Sequence, residues 1–73
     1  MDFIAALKVT INGGRIARSG WKEESPKVYV SMKQDKGQEV LTIKKQEGTF
    51  HAWTISRDDI EADDWEEWKN SWG

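Results

Sequence analysis

Residues 27–45 read KVYVSMKQDKGQEVLTIKK, and the fold turns on how this stretch is read. From Lys27 to Lys33 the side chains alternate, with Val28, Val30 and Met32 on one face and Tyr29 and Ser31 on the other. From Glu39 to Lys45 they alternate again, Leu41 and Ile43 facing one way and Val40 and Thr42 the other. Asp35-Lys36-Gly37, between the two runs, is turn chemistry. A period of two on both sides of a short turn is the signature of a β-hairpin. A second turn at Gln46-Glu47-Gly48 leads into a third alternating run, Thr49–Ile55, with His51, Trp53 and Ile55 opposed to Phe50, Ala52 and Thr54. The centre of the chain is therefore an antiparallel meander.

Toward the N-terminus, Arg15–Ser19 reads as a further strand, and Lys22–Pro26, polar and holding the only proline, as a loop. Asp2–Asn12 reads as an amphipathic helix. Asp2 can cap it, and Phe3, Ala6, Leu7, Thr10 and Ile11 share one face. Asn12-Gly13-Gly14 supplies the left-handed positions that end it. So short a helix does not persist alone in water and needs a surface to pack on. Toward the C-terminus, Ser56-Arg57-Asp58-Asp59 is a capping box that opens another helical turn. Beyond it two readings stand. Trp65, Trp68 and Trp72 are spaced as one helix face, and Asp63–Trp68 equally suits an edge strand. The expected architecture is α+β: residues 1–73 as a single domain, with one N-terminal helix packed on a small antiparallel meander of four or five strands. A short helical turn lies near the C-terminus.

Size and composition narrow the function. A chain of 73 residues buries only about 60% of the surface its unfolded form exposes, so its core is thin and self-association is a common remedy. There is no cysteine, and His51 is the only histidine, so neither a disulfide nor a His/Cys zinc site can be assembled. No stretch is apolar enough to span a membrane, and Met1-Asp2-Phe3 lacks the basic start of a signal peptide, so the expected location is the cytoplasm. The net charge of −2 conceals an asymmetry: ten basic against six acidic residues up to Arg57, then one against seven. That distribution argues against a general nucleic-acid binder and leaves room for a local anion site. Five tryptophans exceed what so small a core requires, so some belong at a ligand site or a subunit interface.

Three constellations carry chemistry. Arg15, Arg18 and Trp21 combine guanidinium groups with a large ring. They suit a phosphate clamp beside a stacking platform, and equally a solvated strand face with one core tryptophan. Gly20 before Trp21 suggests a special backbone angle or a close approach. Trp53, followed by Thr54 and Ser56, suits a second aromatic wall with hydroxyls for a ribose, or plain core packing. Asp58, Asp59, Asp63 and Asp64 read first as caps and a solvated acidic end. A hydrolase built on Asp59 or Asp64 is the weaker reading. No nucleophile with an oriented base, phosphate loop or metal spacing is present in the sequence, so a binder without catalytic residues, cofactor or metal is expected.

Taken in order, these motifs resemble the phage family of second-type Thoeris anti-defence proteins. The resemblance rests on Phe3-Ile4-Ala5-Ala6-Leu7, Gly14-Arg15-Ile16-Ala17-Arg18-Ser19-Gly20-Trp21, Ala52-Trp53-Thr54-Ile55-Ser56 and Asp59-Ile60-Glu61-Ala62-Asp63-Asp64-Trp65. It implies a protein of the host bacterial cytoplasm that sequesters, without cleaving, a cyclic ADP-ribose-type (glycocyclic ADP-ribose) immune signal. It also implies a homotetramer with nucleotide pockets between subunits, and no membrane or nucleic-acid partner. Some relatives look able to hold cyclic dinucleotides. Carried onto this chain, Trp21 and Trp53 become base-stacking walls and Arg18 a pocket or phosphate-side residue. Ser56 and Asp64 become candidate ribose or amine contacts, beside the Thr54 hydroxyl already read next to Trp53. The chain departs from the pattern at Glu61, in the short charged region between Trp21 and Trp53, and in a tail that adds Trp68 and Trp72. The acidic aromatic tail also suits an alternative, an anti-CRISPR-like inhibitor that works by direct protein contact.

Overall fold

A computed structural model describes residues 1–72. Helix α1 (Phe3–Ile11) is followed by strand β1 (Arg15–Arg18), a short helix α2 (Trp21–Glu24), strands β2 (Tyr29–Asp35), β3 (Gln38–Lys44) and β4 (Phe50–Ala52), helix α3 (Arg57–Glu61), strand β5 (Trp65–Glu67) and a 3-10 turn at Asn70–Trp72. The strands form one antiparallel sheet in the order β4-β3-β2-β1-β5. The fold is α+β, with α1 packed on the five-stranded sheet.

The hairpin β2–β3 is its longest ladder, running from Tyr29↔Lys44 to Asp35↔Gln38. Its two-residue turn has Lys36 at φ 52° and Gly37 at φ 80°. Two left-handed residues in succession match the twist of the flanking strands, and a glycine takes the second position without a steric penalty. Helix α1 is capped as expected: the Asp2 carboxylate accepts from the Ala5 N–H at 2.9 Å. Gly13 ends the helix at φ 92°.

The alternation gives the sheet two different faces. On the α1 side, Phe3 and Ala6 of the helix bury against Ile16, Val30 and Trp65, with Leu41 and Ile43 at the margin. On the other side, Ala17, Tyr29 and Trp68 form a second, smaller cluster against which Trp21 and Trp72 pack. The Trp68 indole N–H donates to the Pro26 carbonyl at 2.8 Å. The Arg15 guanidinium carbon lies 5.3 Å and 4.9 Å from the ring centres of Tyr29 and Trp68, within cation–π range.

Several expectations are corrected. Lys22–Pro26 is not wholly loop, because α2 runs through Glu24, its single turn closed by the Ser25 N–H donating to Trp21 O at 2.7 Å. The third run pairs only over Phe50–Ala52. The Trp53 N–H still donates to Leu41 O at 3.0 Å, and the chain then leaves the ladder for α3. Ile11 is not on the buried face and is 60% exposed. Gly20 has an ordinary helical backbone (φ −65°, ψ −25°), and a Cβ there would meet nothing within 4 Å. The close approach is at Gly14, where a Cβ would come within 2.6 Å of Val9 Cγ1 and 3.0 Å of Val9 O. Of the two readings of the tail, the edge strand is the one observed.

Candidate functional site

Trp65 organises this end of the molecule. It is fully buried on β5, opposite Arg18 of β1. Its indole N–H donates to Asp59 O at 2.9 Å, which ties β5 to α3. Three aromatic rings pack around it: Trp21 edge-on at 5.6 Å, Trp53 edge-on at 5.7 Å, and Phe3 tilted at 5.8 Å. Such edge contacts exceed simple area burial by about 0.5–1.5 kcal/mol each. The two tryptophans expected as ligand walls are thus brought to one central ring. Both are half-buried, with one part of each indole committed to the core and the rest turned to solvent.

Arg18 sits in a carboxylate clamp. Its Nε donates to Asp64 Oδ1 at 2.6 Å and its Nη1 to Asp59 Oδ1 at 3.2 Å. The guanidinium carbon lies 5.9 Å from the Trp65 ring centre. Ser19 completes the group: its hydroxyl donates to Asp64 Oδ2 at 3.2 Å and its N–H to Asp64 O at 3.0 Å. The Arg18 hydrogen bond, and secondarily that from Ser19, holds the Asp64 carboxyl below its ordinary range, against the desolvation that opposes ionisation. The Asp64 hydrogen bond raises Arg18 in turn. An arginine so paired offers a phosphate little free charge. A carboxylate so held is a hydrogen-bond acceptor, suited to hydroxyl or amine donors, and a poor proton donor near neutrality.

Ser56 has a structural duty. Its hydroxyl accepts from the Asp59 N–H at 3.2 Å while Asp59 Oδ2 accepts from the Ser56 N–H at 3.3 Å, the expected capping box. Asp59 therefore spans two systems, with one oxygen on the cap and the other on Arg18. Thr54 is exposed in the segment between β4 and α3. His51 is exposed on β4, 3.1 Å from the Thr49 hydroxyl.

A separate open cavity of about 380 Å³ lies on the β5 side. Lys22, Lys69 and Trp72 line it together with Glu66 and Glu67, and Met1 and Trp65 complete its wall. The Lys22 ammonium lies 4.9 Å from the Trp72 ring centre. None of the expected contacts Arg18, Trp21, Trp53, Thr54, Ser56 or Asp64 lines this cavity, which meets their cluster only through Trp65. Sequence reasoning missed both the centrality of Trp65 and this cavity. The signals for Trp65 were its place at the end of the Asp59–Trp65 motif and its position between acidic residues, in the segment where strand and helix readings competed. Among the described residues no group of three or more His, Asp or Glu side chains is placed to hold a metal ion. No described helix is long and apolar enough to cross a membrane.

The family described as the Thoeris anti-defense 2-like domain matches residues 1–68, and the chain belongs to it. Its role is accordingly a phage anti-defence one directed at Thoeris. Comparison with curated proteins gives no match.

Proposed function

We propose that this member of the Thoeris anti-defense 2-like family works as a sponge. It binds a cyclic ADP-ribose-type signal, of the glycocyclic ADP-ribose kind, and holds it uncleaved so that the Thoeris effector is not activated. The observation that carries the reading is the family match over residues 1–68. Within that match, the half-buried Trp21 and Trp53 flank the buried Trp65 ring, and Arg18, 5.9 Å from the centre of the same ring, holds the acceptors of Asp64 and Asp59. Stacking on a tryptophan is worth about 1–3 kcal/mol per base. The carboxylates suit ribose hydroxyls or an adenine amine. The protein acts as a homo-oligomer, a tetramer in this reading. Ile4 and Ile11 on α1 and Ile60 on α3 support this, since they stand 61%, 60% and 53% exposed on neighbouring helices. Rigid neighbouring protomers pre-organise a pocket that a thin single core cannot.

The test is to incubate the purified protein with cyclic ADP-ribose isomers, remove free ligand, and denature the complex with heat. Recovery of intact ligand is expected. Failure to bind, or recovery of a hydrolysed product, overturns the reading. Trp21→Ala is expected to weaken retention at least tenfold while the circular dichroism spectrum stays native.

A further inference from the structure

The cavity beside β5 has a wall that lies outside the family match. That match ends at residue 68, whereas Lys69 and Trp72 lie beyond it and both line the cavity. We infer that this cavity takes the phosphate-bearing part of the nucleotide signal, with Lys22 and Lys69 meeting phosphate oxygens and Trp72 forming a stacking wall contributed by the tail. The inference rests on the sponge reading and adds the residues that set its specificity.

Four observations lead to it. Any ligand of the cyclic ADP-ribose class carries a diphosphate, and the cation expected to meet it, Arg18, is already held by Asp59 and Asp64. Lys22 and Lys69 take part in none of the ion pairs among the described residues, and Lys22 lies over the Trp72 ring, so no carboxylate is bonded to either ammonium and both can turn to a phosphate. The volume of about 380 Å³ falls within the range of roughly 300–1,000 Å³ typical of small-molecule sites. Finally, Lys22 directly follows Trp21, and Trp65 belongs both to the cavity wall and to the ring cluster. A ligand bridging the two regions therefore spans neighbouring parts of one surface.

Glu66 and Glu67 refine the chemistry. Glu66 and Glu67 offset most of the positive charge that Lys22, Lys69 and the Met1 ammonium bring to the lining, so the field is too weak to hold a bare anion tightly. They accept hydrogen bonds from hydroxyl groups, which a ribose supplies and inorganic phosphate does not. The cavity is thus matched to a sugar phosphate with a flat base.

The experiment uses the full chain and the cyclic ADP-ribose isomer that the unmodified protein retains, with affinity read by calorimetry. Lys22→Glu and Trp72→Ala are each expected to weaken binding at least tenfold. Inorganic phosphate at millimolar concentration is expected not to compete. Lys22 is exposed and gives up only its contact with the Trp72 ring, so Lys22→Glu is expected to lower the melt by no more than about 8 °C and decides the matter if Trp72→Ala loosens the tail. Binding by both variants within twofold of the unmodified protein overturns the inference alone and leaves the sponge reading standing. If the unmodified protein retains no isomer, the reading beneath has failed and the inference falls with it.

Discussion

The two edges of the sheet are built differently. At the β5 edge, Trp65 is fully buried, Arg18 reaches two carboxylates, and Met1 lies alongside the strand. The Met1 ammonium donates to Trp65 O at 2.8 Å, and its carbonyl accepts from the Trp65 N–H at 3.1 Å. At the other edge, β4 is three residues long and exposed throughout, with Phe50 held by a 6.5 Å contact to Tyr29 and by Lys33 4.2 Å above its ring. Conformational stability is therefore concentrated where the candidate binding residues lie. The lesson is that the candidate binding residues surround the structural keystone, so variants there must be checked for folding before they are read as binding defects.

The largest effect that sharpens this contrast is expected from Trp65→Ala. Removing a fully buried tryptophan costs about 3–5 kcal/mol. In a domain this small that lowers the melting temperature by at least roughly 12 °C, measured by circular dichroism. A smaller effect is expected from pH. Asp64 is held ionised below its ordinary range in the folded state, so below that range the unfolded chain binds more protons. Its contribution is present above the ordinary carboxylate range and is lost as pH falls through the folded value. The melting temperature of the unmodified protein should therefore drop more steeply than that of Asp64→Asn as the pH falls through and below the ordinary carboxylate range. Equal slopes would mean that the clamp contributes no pH dependence. The smallest effect is expected at the opposite edge. Phe50 is 44% exposed, so Phe50→Ala should cost only about 0.5–1 kcal/mol. A loss as large as that of Trp65→Ala would abolish the contrast.

What was legible in the sequence was local. The Asp2 cap and the Ser56–Asp59 box act over three residues, and the hairpin announces itself by a period of two around a short turn. The unseen features depend on distant pairing. Arg18 finds partners 41 and 46 residues away, and no local pattern reports that. The tail was ambiguous because three tryptophans at helical spacing also suit a strand. Once β5 pairs with β1, Trp65 turns to the α1 side and Trp68 to the opposite cluster, so residues three apart part company across the sheet. The third alternating run misled because alternation records which side chains want burial and not where hydrogen bonding stops. Trp53 and Ile55 are indeed packed against the core, though the strand has ended at Ala52. For the site, the expected residues split. Trp21 and Trp53 meet at Trp65, and Arg18 and Asp64 meet each other, while Thr54 stands apart and Ser56 serves the cap.

The position of Met1 has a consequence for how the sheet can grow. Both outward backbone groups of Trp65 are occupied by Met1, and the next residues of that strand, Glu66 and Glu67, carry charge. An edge so blunted is a poor template for another strand. Edge-to-edge growth of the folded sheet needs two competent edges on every molecule, and among the described residues only β4 is an unblocked one. Edge pairing of the folded molecule can therefore join two copies β4 to β4 and goes no further by this route: growth ends at a closed pair instead of an open-ended sheet.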